Sequence, residues 1–255
     1  SRDYLVNRIN TFGVPLLSGL PHAVYYEDST QAPPSARRSP GTGERYDSFN
    51  AAAFFQPGDS VIPWYGKMKM VPFAERVPYA DAFYFFDFLR WGVGISGWQI
   101  GSDSVIFTEK KTGARFNVLI CYESVYPDLV AAFVRKGSEF IALITIDSWW
   151  AKMSGAYQHQ RFAIFRSVEN RRWIARCAVG GISCYIDPFG HVFDATELFT
   201  VATLSRTIGR SNELTFYSQH GDWLGSSCLF IAGMFTAAAL GRKFIRKKRQ
   251  EAWSS

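Results

Sequence analysis

The sequence offers little to a metal ion or a disulfide. It has only four cysteines, Cys121, Cys177, Cys184 and Cys228, without CxxC spacing, and four scattered histidines without an HExxH pair. A zinc ribbon, a zinc protease and a disulfide-stapled scaffold are thereby excluded, and no metal or other cofactor is expected. The "GVGISG" run at 92–97 has dinucleotide-loop spacing, but it leads into Trp98 instead of a helix, so it reads as loop glycine. Charge is also scarce in the body. Of the formal net charge of +6, the last fourteen residues hold six Lys/Arg against one Glu, which leaves residues 1–241 at +1. A nucleic-acid footprint would have to lie wholly in that tail, and no nucleic-acid partner is expected.

Aromatic residues are plentiful: 16% of the chain, with 8 Trp and 22 Phe. Residues 78–98, "PYADAFYFFDFLRWGVGISGW", carry eight of them beside three charges and are expected to form an arm that dips into a bilayer interface. Residues 223–241 contain no charge over nineteen positions, with Trp223 at one edge and the basic tail at the other. About 20 apolar residues span a bilayer, so a transmembrane helix is expected there, a buried core helix being the alternative. The division is then residues 1–222, a span at 223–241, and a basic tail at 242–255. The positive-inside bias puts the tail in the cytoplasm and residues 1–222 on the opposite face. Because there is no signal peptide and the chain starts at Ser1, it is expected to be the C-terminal portion of a longer membrane protein.

Periodicity predicts a helix over 2–12, strands at 14–20 and 48–55 around an exposed loop at 28–47, and a hairpin pairing 104–108 with 115–120. A helix over 126–136, a strand at 140–146, a helix over 157–172 and two short strands flanking "DPFG" follow. A last strand is expected at 201–208. The class is α/β with a mixed sheet.

Three segments carry chemistry. In "NVLICYESVYPDLV" (117–130) an apolar strand ends at Cys121, and a helix starts within a few residues. The first amides of a helix can lower a thiol's pKa and hold an oxyanion, although a cysteine at a strand end is more often structural. "WYGKMKMVPFAERVP" (64–78) places Lys67 in a Pro-bounded loop, eight residues before Glu75. "TIDSWWAKMSGAYQHQRFAIFRSVENRRW" (145–173) ends a strand at Asp147 and follows it with Trp149 and Trp150, an arrangement suited to a pocket mouth.

In this order and at these separations the three segments resemble the carbon–nitrogen hydrolase (nitrilase) superfamily. More narrowly, they are similar to the C-terminal part of the apolipoprotein N-acyltransferases. The resemblance implies an α-β-β-α sandwich with mixed sheets, followed by a C-terminal transmembrane helix. It also implies Cys121 as nucleophile, Lys67 as the catalytic lysine, Glu75 and Glu123 as supporting glutamates, and Tyr122, Trp149 and Trp150 as oxyanion- or substrate-binding residues. The implied partners are a phospholipid acyl donor, an apolipoprotein acceptor and a membrane. The implied location is the bacterial inner membrane, with the catalytic domain on the periplasmic face. The family's general-base glutamate has no counterpart in Asp3, Glu27 or Asp28 and is expected upstream of Ser1, so that residues 1–255 alone are expected to be inactive. A small-substrate amidase and an inactive membrane-bound remnant are the alternatives.

Overall fold

The computed structural model describes residues 2–33, 36–72, 74–75 and 98–253, with side chains described as far as residue 243. The arm expected at 78–98 and the glycine run at 92–97 thus lie outside the described residues, apart from Trp98.

Helix α1 (Arg2–Phe12) precedes an antiparallel sheet of β1 (Leu16–Tyr25), β2 (Arg37–Arg38), β3 (Arg45–Phe55) and β4 (Trp64–Gly66). Strand β3 is central, with β1 on one side and β2 and β4 on the other. A second sheet has the order β10-β9-β8-β7-β6-β5, from β5 (Phe107–Thr108), β6 (Arg115–Ile120), β7 (Phe140–Ile146), β8 (Ile174–Val179), β9 (Cys184–Ile186) and β10 (Val192–Phe193). Pairs β6/β7 and β7/β8 are parallel and the rest antiparallel, which makes this sheet mixed. The parallel pairs need crossovers, supplied by α2 (Pro127–Arg135) and α3 (Ser154–Asn170).

The period of two along β3 explains the layering. Ala53 and Phe55 pack with Ile9 of α1, whereas Ala52 and Phe54 join the main core with the second sheet. Phe54 meets Phe107 and Phe116 edge-on, with centroids 5.7 and 5.0 Å away. Each such buried side chain contributes about 1.5–3 kcal/mol. Gly19 of β1 allows the sheets to approach closely, since a β-carbon there would stand 3.0 Å from the Ile144 side chain. Leu129, Val130 and Phe133 of α2 and Ala163 of α3 complete the same core from the helical side.

Several sequence expectations need correction. Residues 201–208 are not a strand. The expected loop at 28–47 contains β2 and the start of β3. The lysine segment opens with a strand, β4, immediately before Lys67. Strand β1 runs on through Pro21 to Tyr25, which an edge strand tolerates because the missing N–H need not join a ladder.

After the short α4 (Phe216–His220), helix α5 runs unbroken from Trp223 to Trp253, so it does not stop at 241. Residues 223–243 are long and apolar enough to cross a membrane, with mean hydropathy 1.6, and none of that apolar window is buried. Within the described residues this window is thus not packed into a core.

Candidate active site

Strand β6 delivers Val118, Leu119 and Ile120 into the core, and the chain turns sharply at Cys121. Cys121 has φ of +55°, a left-handed conformation that costs a side chain on the order of 1 kcal/mol. A single 310 turn, Cys121–Val125, follows, and only then does α2 begin at Pro127, a residue suited to a first helical turn. The thiol is half-buried and unpaired with any other cysteine.

The turn is fastened by Glu123, which is fully buried. Its Oε1 accepts from the Tyr65 hydroxyl at 2.6 Å, the Met68 amide at 2.7 Å and the Lys69 amide at 3.2 Å. Its Oε2 accepts from the Ile120 amide at 2.8 Å. One carboxylate thus joins the residues just after Lys67 to the residue just before Cys121. Burial pushes the Glu123 carboxyl up from its ordinary value, and the Tyr65 hydroxyl and the Ile120, Met68 and Lys69 amides pull it back. Burial, followed by the Glu123 charge, drives the Tyr65 phenol far upward, so it remains a donor.

Lys67 is fully buried, and its ammonium donates to both Glu75 oxygens, at 2.8 and 2.6 Å. Glu75 also accepts from the Asn50 side chain at 3.1 Å and the Val71 amide at 2.8 Å, while the Lys67 amide donates to the Asn50 carbonyl at 2.8 Å. The two partners differ in exposure, and that sets an asymmetry. Glu75→Ala strands an ammonium without access to water, at an expected cost of about 3–5 kcal/mol. Lys67→Met leaves Glu75 with two donors and some solvent, so its cost should be smaller, about 1–2 kcal/mol. Urea unfolding of the two variants checks the order.

Behind Cys121 lies a second polar chain. His159 of α3 is buried, with Nε2 3.1 Å from the Cys121 carbonyl oxygen and 3.3 Å from the Ser124 hydroxyl. Its Nδ1 is 2.8 Å from Asp147, whose other oxygen accepts from Arg176 at 2.6 Å. Thr145 donates to Asp147 at 2.9 Å. Burial works against ionisation of Asp147. The bond to His159 and the charges of Arg176 and His159 outweigh it, and the carboxyl falls from 3.8 to about 2. A depressed native pKa stabilises the fold above the unfolded value and is lost as pH falls through the native one. Asp147 should therefore contribute on the order of 2 kcal/mol at neutral pH. That contribution should vanish between pH 3.8 and about 2, and Asp147→Asn should flatten this part of an acid-denaturation curve.

The structure brings Cys121, Glu123, Lys67 and Glu75 into one connected region. Tyr122 is the second residue of the 310 turn, its ring edge-on to Tyr126 at 5.7 Å. Trp149 and Trp150 lie on the exposed turn Ser148–Trp150 just after Asp147. Sequence reasoning missed Asn50, His159 and Arg176. A signal for His159 was present: Ala156, His159, Ala163 and Ser167 form the buried stripe of α3, and a polar residue on such a stripe requires a partner. Arg166, on the same side, donates to the Val125 carbonyl at 3.2 Å and fixes the far end of the turn.

Comparison with known proteins gives the family and the fold. The family described as carbon-nitrogen hydrolase matches residues 17–212. An apolipoprotein N-acyltransferase of Chlorobaculum tepidum is 35% identical over 94% of the chain and 44% of its own length. One from Geobacter metallireducens is 35% identical over 80% of the chain and 38% of its own length. The chain thus spans less than half of these curated relatives. Among solved structures, a variant of the amidase from Nesterenkonia sp. AN1, with the acetamide moiety of fluoroacetamide on its active-site cysteine, superposes with a TM-score of 0.51. Identity is 15%, covering 77% of this chain and 62% of that one, a likeness of fold.

Proposed function

The chain belongs to the carbon–nitrogen hydrolase family, and on that footing we propose that it is the cysteine-bearing part of an enzyme that moves an acyl chain from a phospholipid to the N-terminal amine of an apolipoprotein. The relatives that match most of the chain bear that activity in their names. The observation that carries the reading is the attachment of a fully exposed apolar helix to the domain that holds Cys121. An amidase acting on a small soluble substrate has no use for it.

In the proposed reaction Cys121 Sγ, its proton passed to the family's glutamate base, attacks the ester carbonyl carbon. The carbonyl oxygen takes up negative charge. The C–O bond then breaks, lysophospholipid leaves with a proton, and a thioester remains. The acceptor amine attacks that thioester, an amide forms, and the thiol is restored. Lys67 suits the oxyanion step, since Glu75 engages two of its three N–H donors and leaves one for a developing charge. The Tyr122 amide, at the opening of the 310 turn, is the second donor in this proposal. Trp149 and Trp150 form an apolar lip for the acyl chain.

Helix α5 has 31 residues, a length of about 46 Å, against a hydrocarbon core of about 30 Å. Its apolar part fills the core, and its basic end emerges on the cytoplasmic face, with residues 1–222 on the periplasmic face of the inner membrane. The natural protein, in vesicles of phospholipid labelled in its acyl chain, should carry label on a peptide containing Cys121. That label should pass to a peptide with a free lipidated N-terminal cysteine. Release of labelled fatty acid alone would point instead to hydrolysis.

A further inference from the structure

The site as described has a charge problem. A thiolate needs a nearby positive field, and Lys67 is matched one-to-one by Glu75 in a bidentate pair. Glu123 adds negative character, and its partners among the described residues are one hydroxyl and three backbone amides. A further basic group at the Cys121 turn is His159.

The two ring nitrogens of His159 face acceptors on both sides. Nε2 lies 3.1 Å from the carbonyl oxygen of Cys121, which can only accept. Nδ1 lies 2.8 Å from an Asp147 oxygen, and Asp147 also takes the Arg176 guanidinium at 2.6 Å and Thr145 at 2.9 Å, the company of an ionised carboxylate. An imidazole lone pair at either contact would oppose another lone pair. Arg176 also comes within 3.5 Å of Nδ1, too far to compete with the contact at 2.8 Å. The Ser124 hydroxyl, 3.3 Å from Nε2, can turn its own proton to the Cys121 carbonyl, 3.2 Å away, and accept from the ring. With His159 protonated on both nitrogens, the buried Arg176–Asp147–His159 chain carries a net charge of +1, and its end abuts the backbone of Cys121.

We propose that His159 is an imidazolium that positions Cys121 by donating to its carbonyl, holding the residue in its left-handed turn and placing a positive charge against its backbone. His159 touches no reacting atom; it acts through Cys121, Asp147 anchors it and Arg176 keeps Asp147 charged. The inference rests on the reading of Cys121 as nucleophile, so its test uses a reaction that needs no acyl donor.

The test is iodoacetamide alkylation of the natural protein in detergent, followed at the Cys121 peptide by mass spectrometry across pH. Cys177, which is exposed and lies outside helix α5, serves as the internal control. His159→Gln keeps a neutral donor for the Cys121 carbonyl and removes the charge. It should slow Cys121 alkylation near neutral pH about tenfold, moving the profile to higher pH, while the control thiol is unchanged. His159→Ala loses both functions and should slow it further. An unchanged Cys121 profile in His159→Gln overturns the proposal. If that variant does not fold, 15N NMR of the unmutated protein labelled at histidine decides: two protonated ring nitrogens on His159 support the proposal, and a neutral tautomer overturns it. Loss of acyl transfer with a normal alkylation profile in the unmutated protein would count against the function proposed above and leave the role of His159 standing.

Discussion

Cys121→Ala should abolish acylation of the protein by a labelled phospholipid and lower acyl transfer by about 10⁴- to 10⁶-fold, the usual consequence of removing a nucleophile. The fold should survive, because the thiol is half-buried and makes no disulfide. Stability carries an additional signature. Alanine at +55° is as strained as cysteine, whereas glycine is at ease there. Cys121→Gly should therefore match or exceed Cys121→Ala in stability, by up to about 1 kcal/mol, although glycine is normally the worse choice in an ordered chain. Such an inversion would indicate that the turn bears strain for the sake of presenting a thiol. Persistent labelling of Cys121→Ala would remove Cys121 as the acyl carrier. A Cys121→Gly variant clearly weaker than Cys121→Ala would remove the strain argument while leaving the nucleophile in place.

What could be seen in the sequence was mostly what periodicity carries. Strand β6, its apolar run ending at the cysteine, strand β7 and helix α2 were legible because they bury contiguous apolar residues at the spacing each element requires. Strand β4 was not, since three residues are too few to show alternation, and its place depends on pairing with Ala51–Ala53 of β3. Residues 201–208 are rich in β-branched Val201, Thr203, Thr207 and Ile208 yet form no ladder, and propensity alone supplies no partner. Lys67, Glu75, Cys121 and Glu123 were named through resemblance to a family; no local pattern would have joined residues 67 and 123. Their junction is long-range, made by a buried carboxylate bonding to backbone amides 54 and 55 positions away. His159 was hidden for a related reason, since its partners come from the residue after β7, from β8 and from the turn after β6.

That carboxylate is where the second large effect is expected. Glu123→Ala removes the acceptor for one hydroxyl and three amides in a place without solvent. Unsatisfied buried donors cost about 1–3 kcal/mol each before relaxation, so a loss of about 3–5 kcal/mol is expected in urea unfolding. Glu123→Gln is the sharper probe. Its amide oxygen can keep the three donors that converge on Oε1, but its NH2 then confronts the Ile120 amide, donor against donor. The expected cost is about 1–3 kcal/mol, concentrated at the residue that enters the Cys121 turn. Tyr65→Phe, which removes one donor and leaves the carboxylate its three amides, should cost only about 1 kcal/mol. Activity should not follow that order of stability. At a temperature where all three variants are folded, Glu123→Gln should lose far more acyl transfer than Tyr65→Phe, because only the former releases the strand end that sets the cysteine. If the two lose activity in proportion to their stability, Glu123 is a fastener of the core and not of the nucleophile.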